Sequence, residues 1–222
     1  MANSALQQPL WRDREQAGEA LAALLMAWYG DPRAVVIGLP RGGVVVAAAV
    51  AAALRLPLAS WAVRKLAHPD APELAVGAIA PGGVLLWEEP YLRQLHLEPE
   101  LRRRLVAEQD REMQRRQRLY GDPTPASLRR RTLLVVDDGI ATGLTVRAAL
   151  QSLRQTRPER LVLAVPVLDR RLAARLRPLV DQLVALAEVD DLRAVGYWYE
   201  RFEPVPDAEV MGLLNAPSPP RV

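Results

Sequence analysis

The sequence predicts an α/β protein in which an open, mostly parallel, doubly wound sheet carries a small β-hairpin and helical cover. Three observations lead to that class. Short apolar runs alternate with helical patterns along most of the chain, as a parallel sheet with crossover helices requires. A Pro-Gly-Gly turn at 81–83 separates two further apolar runs, which is typical of a hairpin. Finally, the apolar run 133–136 leads directly into two acids, and ligands bind beyond the carboxyl ends of such strands.

Each predicted strand and helix rests on a pattern in the residues of that segment. Aliphatic runs bounded by turn residues predict strands at 33–38, 57–63, twice within 73–87, and at 132–138, 160–168 and 179–186. Apolar residues at helical spacing predict helices at 42–54, about 91–119, 145–156 and 169–176, the last capped by Asp169. A polar, proline-bearing connector occupies 120–131. We predict one domain at 1–214, with the hairpin and helical insertion at about 73–125 and a disordered tail at 215–222.

Composition excludes several classes of function. The 222 residues are half apolar, which is enough for one full-sized core. The chain has no cysteine and 2 histidines, which excludes disulfides and cysteine nucleophiles and disfavours a zinc centre. Its 29 basic and 26 acidic residues nearly balance, which argues against a dedicated nucleic-acid binder. The opening residues lack the pattern of a signal peptide and no apolar run reaches membrane-spanning length, so we expect a cytoplasmic protein without a membrane partner.

The stretch GIATGLT, residues 139–145, follows Asp137 and Asp138 where a strand is predicted to turn into a helix. Small residues there allow backbone amides to converge on an anion, and the helix terminus adds partial positive charge. The stretch is not a Walker A loop, because no Gly-Lys-Ser/Thr follows. A phosphate loop beside two acids predicts a sugar monophosphate whose hydroxyls donate to the acids, which also face positive charge that develops on the ring. The alternative is that the acids cap a helix.

The segment LLVVDDGIATGLT, residues 133–145, resembles the motif of type I phosphoribosyltransferases that binds 5-phosphoribosyl 1-diphosphate (PRPP). GLPRGG at 38–43 resembles the pyrophosphate loop of that family, with a plain tight turn as the alternative, and VRKLAHP at 63–69 resembles its basic pair. With RDREQAG and PELAVGAI, the set is similar to a bacterial subgroup known as predicted phosphoribosyltransferases.

The resemblance implies a set of site residues. Asp137 and Asp138 would be catalytic. The 5′-phosphate would be bound by Gly139, Ala141, Thr142, Gly143, Leu144 and Thr145. Pyrophosphate would be bound by Pro40, Arg41, Gly42, Gly43, Arg64 and Lys65. Mg²⁺ would be the cofactor, held mainly through PRPP.

Four further residues are candidates for a mobile loop or the base side of the site: His68, Glu73, Tyr197 and Glu200. His68 stands where orotate enzymes have a loop lysine, which argues against orotate as the base. AVGYWYERF at 194–202 is similar to a segment of hypoxanthine-guanine enzymes and places Glu200 at the acidic position, where it is also a candidate Mg²⁺ ligand. Arg193 replaces the expected aromatic residue, so a purine is only a weak preference, and Tyr197 has packing as its alternative.

Three functions are consistent with these patterns. The leading one is an enzyme that transfers a phosphoribosyl group between PRPP and a nitrogenous base and releases pyrophosphate. The second is a regulatory protein that senses PRPP or a nucleotide and binds nucleic acid or a protein partner through its arginine-rich faces. The third is a ribose-phosphate binder that has lost catalysis. The predicted helix at 91–119 is a cover or a homodimer element.

Overall fold

The structure, a computed structural model, describes residues 9–95 and 97–216, without the side chains of Pro72 and Glu73. The described strands are β1 (Ala34–Gly38), β2 (Leu58–Ser60), β3 (Arg64–His68), β4 (Ala71–Ala80), β5 (Val84–Trp87), β6 (Thr132–Val136), β7 (Arg160–Asp169) and β8 (Gln182–Val189). The described α-helices are α1 (Arg14–Ala23), α2 (Gly42–Leu54), α3 (Glu89–Gln94), α4 (Pro99–Tyr120), α5 (Pro125–Leu128), α6 (Leu144–Gln155), α7 (Arg170–Leu176) and α8 (Asp207–Leu214).

The central sheet is parallel and is covered on both faces. Its described strands have the order β2-β1-β6-β7-β8. Alternate residues of β1 enter different cores, because Val36 packs with α1 and α2 whereas Ile37 packs with α6. All five residues of β6 are buried, which explains its uninterrupted apolar run. The predicted doubly wound α/β class is confirmed.

A second, antiparallel sheet has the order β3-β4-β5. One of its faces packs on α4, through contacts that include Leu66 and Met113, and its other face contributes Ala78 and Val84 to the core shared with α6. The hairpin about 81–83 is therefore confirmed, but it has an additional strand. The predicted strand at 57–63 is too long, since β2 ends at Ser60 and the chain then starts β3 in the smaller sheet.

The described helices differ from the predicted ones. The single helix at about 91–119 is two helices, α3 and α4, and Pro99 lies in the first turn of α4, where a missing amide donor is tolerated. The connector at 120–131 contains the short helix α5, and both α1 and α8 were absent from the prediction. Within residues 9–95 and 97–216, no helix combines the length and apolarity needed to cross a membrane.

The predicted domain limits are not tested by these elements. Residues 1–8 and 217–222 lie outside the described residues, and this includes most of the tail predicted at 215–222. The smaller sheet begins at Arg64, ahead of the insertion predicted from about 73. The limits 1–214 stay a prediction.

Asp122 connects the end of α4 to the crossover between the two sheets. Its carboxylate accepts a hydrogen bond from the Ser60 hydroxyl at 2.5 Å and another from the Ala62 amide at 2.6 Å. Burial raises the pKa of Asp122, while these two bonds oppose that shift. One acid therefore satisfies the polar groups where the chain leaves the central sheet.

We expect Asp122→Ala to lower the free energy of unfolding by about 1–3 kcal/mol, because the Ala62 amide and the Ser60 hydroxyl lose their acceptor. Urea unfolding measures this change. Glu108→Ala, at an exposed position of α4, is the control and should change stability by less than about 0.5 kcal/mol. Equal effects of the two substitutions would contradict the role given to Asp122.

Candidate active site

Two loops meet at one edge of the central sheet. β1 pairs in parallel with β6 so that Gly38 lies beside Val136, and the Leu39 amide donates to the Val136 carbonyl at 2.9 Å. The residues that follow both strands therefore emerge side by side. The peptide bond between Pro40 and Arg41, in the first of these loops, is cis.

The first loop packs directly on the two acids. A Cβ atom at Gly42 would overlap the Asp138 carboxylate, and one at Gly43 would lie 2.7 Å from Asp137 Oδ1. Any side chain at these positions would displace the carboxylates or the loop. Glycine at both positions therefore allows the backbone of the predicted pyrophosphate loop to contact the acid pair.

The acid pair is held by backbone and side-chain contacts. The Asp138 amide donates to Asp137 Oδ1 at 3.0 Å, and Arg14 Nε donates to Asp138 Oδ2 at 2.8 Å. The Tyr199 hydroxyl donates to the Asp138 carbonyl at 2.6 Å. Arg14 and Tyr199 were not among the predicted site residues. Arg14 belongs to the RDREQAG segment of the resemblance, but a contact across 124 positions leaves no spacing signal in one sequence.

Burial makes ionisation of both acids unfavourable. It raises the pKa of Asp137 well above the ordinary value, and the charge of neighbouring Asp138 raises it further. Burial also raises the pKa of Asp138, although Arg14 opposes that shift. Arg14 donates a hydrogen bond to Asp138 but acts on Asp137 only through its charge, so the two carboxyl groups have different environments. Such a difference allows two acids in one site to take different roles.

The second loop joins β6 to α6 and is anchored in the middle. The Ile140 amide donates to the Val167 carbonyl at 2.9 Å, and the Asp169 amide donates to the Ile140 carbonyl at 3.2 Å. Gly143 has φ of +74°, a conformation that favours glycine, and α6 begins at the next residue. In the described part of the chain, no side chain caps this end of α6. Its first amides are therefore suited to an anion.

The predicted phosphate residues differ in what they offer. Thr142 is exposed and Thr145 is half-buried, so both hydroxyls lie at or near the surface of the loop. The Leu144 side chain is buried in the core, which leaves only its backbone amide for a ligand. Gly139 and Ala141 are half-buried.

The predicted pyrophosphate cations come from different elements. Arg41 follows β1, and its Nη1 lies 3.7 Å from Asp207 Oδ1 on α8. Arg64 is half-buried and donates through Nε and Nη2 to Gln109 Oε1 on α4, at 2.9 and 2.8 Å. Burial lowers the pKa of Arg64, and the positive charges of Arg116 and Arg41 lower it further. We call Arg41, Arg64 and Arg116 of α4 the cationic group; Asp207 pairs with Arg41 and Glu112 with Arg116, and both acids partly offset its charge.

Lys65, the next residue of β3, is exposed. Because successive strand residues project to opposite faces, it does not share the α4 side with Arg64. The basic pair therefore starts the smaller sheet, since β2 of the central sheet already ends at Ser60.

The candidates for the base side lie in two places. His68 ends β3, and its Nδ1 accepts from the Asp70 amide at 3.2 Å. The side chain of Glu73 lies outside the described residues. Tyr197 is 64% exposed and Glu200 is exposed, in the segment where Tyr199 reaches Asp138. Among the described side chains, no group of three or more His, Cys, Asp or Glu residues is arranged to hold a metal ion.

The chain matches known proteins in sequence and in fold. The family model described as phosphoribosyl transferase domain matches residues 11–184. Two Mycobacterium tuberculosis proteins, from different strains and both provisionally named phosphoribosyl transferase, are 40% identical over 207 residues. This match covers 93% of the chain but 46% of each relative, so the chain spans about half the length of these relatives. A Thermus thermophilus protein of known crystal structure is 39% identical, with a TM-score of 0.70 over 92% of this chain and 97% of the other.

The raised pKa of Asp137 predicts a pH-dependent cost in stability. The native state retains this proton better than the unfolded chain, so the cost is absent below the unfolded pKa near 3.8 and grows as pH rises toward the native pKa. We therefore expect Asp137→Asn to raise the free energy of unfolding at pH 7 and to have a smaller effect at pH 4. Urea unfolding at both values measures this difference.

Asp13→Asn provides a control of opposite sign. Hydrogen bonds from the Gln16 amide and then from Arg12 hold the pKa of Asp13 down at about 2. Its stabilising contribution is present above the unfolded pKa of 3.8 and is lost as pH falls, so this variant should be destabilised more at pH 7 than at pH 4. The electrostatic account would be contradicted if Asp137→Asn lowered the free energy of unfolding at pH 7, or if it changed that free energy equally at both pH values.

Proposed function

The chain belongs to the phosphoribosyl transferase family, and from that premise we propose that it transfers a 5-phosphoribosyl group between PRPP and a nitrogenous base, with release of pyrophosphate. One observation carries the proposal. The glycines of the first loop lie against Asp137 and Asp138, and the chain leads from these acids to the uncapped start of α6 at Leu144. In this proposal the first loop binds the diphosphate, the acids bind the ribose and the start of α6 binds the 5′-phosphate of one ligand.

The parts of PRPP match these groups by charge and by hydrogen-bonding capacity. The 5′-phosphate would accept from the first amides of α6 and from the hydroxyls of Thr142 and Thr145. The ribose hydroxyls would donate to Asp137 and Asp138. The diphosphate would accept from the amides of Gly42 and Gly43, and the cationic group that contains Arg41 and Arg64 would supply charge. Lys65 stays a predicted contributor from β3.

The proposed reaction is a substitution at ribose C1. The bond from C1 to the diphosphate oxygen breaks and the diphosphate leaves with the electron pair, while a base nitrogen forms the new bond to C1 and releases its proton. Positive charge develops on the ring as the leaving group departs. The nearby carboxyl pair is placed to stabilise that charge, and the two loops hold the reacting groups in register. This chain's contribution is therefore mainly positioning and electrostatics.

The chain is compatible with Mg²⁺ that arrives with the diphosphate. Mg²⁺ prefers six oxygen ligands and commonly keeps several waters with one or two carboxylates and substrate phosphates. We propose that the ion is held mainly by PRPP oxygens and water. Glu200 is the predicted protein ligand and lies exposed in the C-terminal segment. When bound, Mg²⁺ would neutralise charge on the diphosphate and so favour its departure.

We assign the segment around Tyr197 and Glu200 to the base side, because Tyr199 in that segment hydrogen-bonds Asp138. We keep a purine as the preferred class because of the sequence resemblance of residues 194–202. A cytoplasmic location and a homodimer remain predictions.

Thermal unfolding tests the proposal without knowledge of the base. A ligand that binds only the native state stabilises it by roughly 2.7 kcal/mol when its concentration is a hundredfold above its dissociation constant. We expect Mg²⁺-PRPP to raise the unfolding temperature, ribose 5-phosphate to raise it less, and free ribose to leave it unchanged. The double variant Thr142→Val/Thr145→Val should show smaller shifts with both phosphorylated ligands, because two donors are replaced by methyl groups.

Thr124→Val is a matched control, since this threonine caps α5 and lies outside the phosphate loop. Its ligand-induced shifts should equal those of the wild type, even if its starting stability is lower. Identical wild-type melting curves with and without millimolar Mg²⁺-PRPP would contradict the proposed function.

A further inference from the structure

Arg14 joins three segments that are distant in sequence. Its Nε donates to Asp138 Oδ2 at 2.8 Å, and its Nη1 donates to the Glu203 carbonyl at 3.0 Å. The guanidinium carbon lies 3.7 Å from the centre of the Phe202 ring, a cation–π contact. The Arg14 side chain is only 11% exposed. It therefore connects the start of α1, the end of β6 and the C-terminal segment from inside the fold.

These contacts use the shape of arginine as well as its charge. The planar guanidinium directs one nitrogen to a carboxylate and another to a carbonyl while its face covers an aromatic ring. A lysine ammonium is a compact charge and cannot provide this fixed fork. The contacts thus specify a direction for the Asp138 carboxylate, which a mere countercharge would not do.

Asp138 is restrained by contacts with several elements in addition to Arg14. Gly42 of α2 lies against Oδ2, Asp137 accepts from the Asp138 amide, and Tyr199 donates to the Asp138 carbonyl. Tyr199 in turn stacks on Phe202, with ring centres 5.0 Å apart. Asp138 is therefore enclosed by the same aromatic and guanidinium group that supports Arg14.

We infer that Arg14 is a positioning residue for Asp138, which it holds so that the other carboxylate oxygen, Oδ1, receives the ribose hydroxyls of the ligand. The inference rests on the proposed function, because it assigns a role within that same site. Arg14 donates to the acid, and its Nε also lies beside Gly42, where a Cβ atom would be 2.8 Å from it. We assign its influence on ligand binding to Asp138, so that it concerns the phosphoribosyl part of PRPP and not the diphosphate.

Arg14→Lys is the informative variant, because it retains the positive charge and removes the fork. We expect it to weaken binding of Mg²⁺-PRPP about tenfold in calorimetric titrations, a loss of the size expected for one hydrogen bond to a charged group. Binding of Mg²⁺-pyrophosphate should change less than about twofold, since no residue of the first loop is replaced. Arg12→Lys is the matched control: Arg12 is 56% exposed, pairs with Asp13, and should leave both affinities unchanged.

A double-mutant cycle separates positioning from a general structural role. If Arg14 acts through Asp138, adding Arg14→Lys to Asp138→Asn should weaken Mg²⁺-PRPP binding by less than about twofold further. The inference is overturned by a wild-type affinity for Mg²⁺-PRPP in Arg14→Lys, by equal losses for both ligands, or by the same tenfold loss in the Asp138→Asn background. These results require a wild type that binds Mg²⁺-PRPP, so they would leave the proposed function standing. Failure of the wild type to bind it would overturn both.

Discussion

The site depends on the parallel pairing of β1 with β6. Their register brings Gly38 beside Val136, and the bond from the Leu39 amide to the Val136 carbonyl continues that pairing past the strand ends. The segments that follow β1 and β6 therefore leave the same edge of the sheet side by side and in the same direction. A loop with glycines at 42 and 43 can then lie on the carboxylates at 137 and 138. A shift in this register would separate the two loops and remove the site.

This arrangement has an electrostatic cost that the surrounding residues only partly offset. Two carboxyl groups are enclosed under a loop, and burial raises the pKa of each. Arg14 and Tyr199 supply hydrogen bonds to Asp138, and both belong to segments at opposite ends of the described chain. The backbone bonds between Trp11 and residues 198–200 hold these two segments together. Segments near the two ends of the described chain thus hold Asp138 in place.

The buried strands and the turns could be predicted from the sequence, because each leaves a pattern in consecutive residues. The strands of the central sheet are buried on both faces, so β1, β6 and β7 are continuous apolar runs and were predictable. The turn at 81–83 and the loop at 139–145 were predictable because glycine adopts backbone conformations that other residues avoid, so Pro-Gly-Gly and a glycine-containing run of small residues mark turns and loops. The break between α3 and α4 was signalled by Pro99, but the helical pattern on both sides obscured it.

Long-range contacts were not predictable in the same way. β3 is a strand because Arg64 to His68 pair with β4, and the apolar content of RKLAH does not indicate this. The cationic group that includes Arg41 and Arg64 assembles from a loop, the smaller sheet and α4. Arg14 lies 124 residues before Asp138. A single sequence contains no measure of such proximity, so the acids and loops could be identified but the residues that support them could not.

The central claim is that the two loops and the acid pair bind PRPP for transfer to a base. Phosphorus NMR of the intact chain with Mg²⁺-PRPP and a panel of purine and pyrimidine bases tests it most directly. The account predicts that, with at least one base, the two diphosphate resonances of PRPP are replaced by the single resonance of pyrophosphate while a nucleoside monophosphate accumulates in equal amount. It also predicts that Asp137→Asn slows this conversion at least tenfold. Conversion at the wild-type rate in that variant, or PRPP that stays intact with every base, would contradict it.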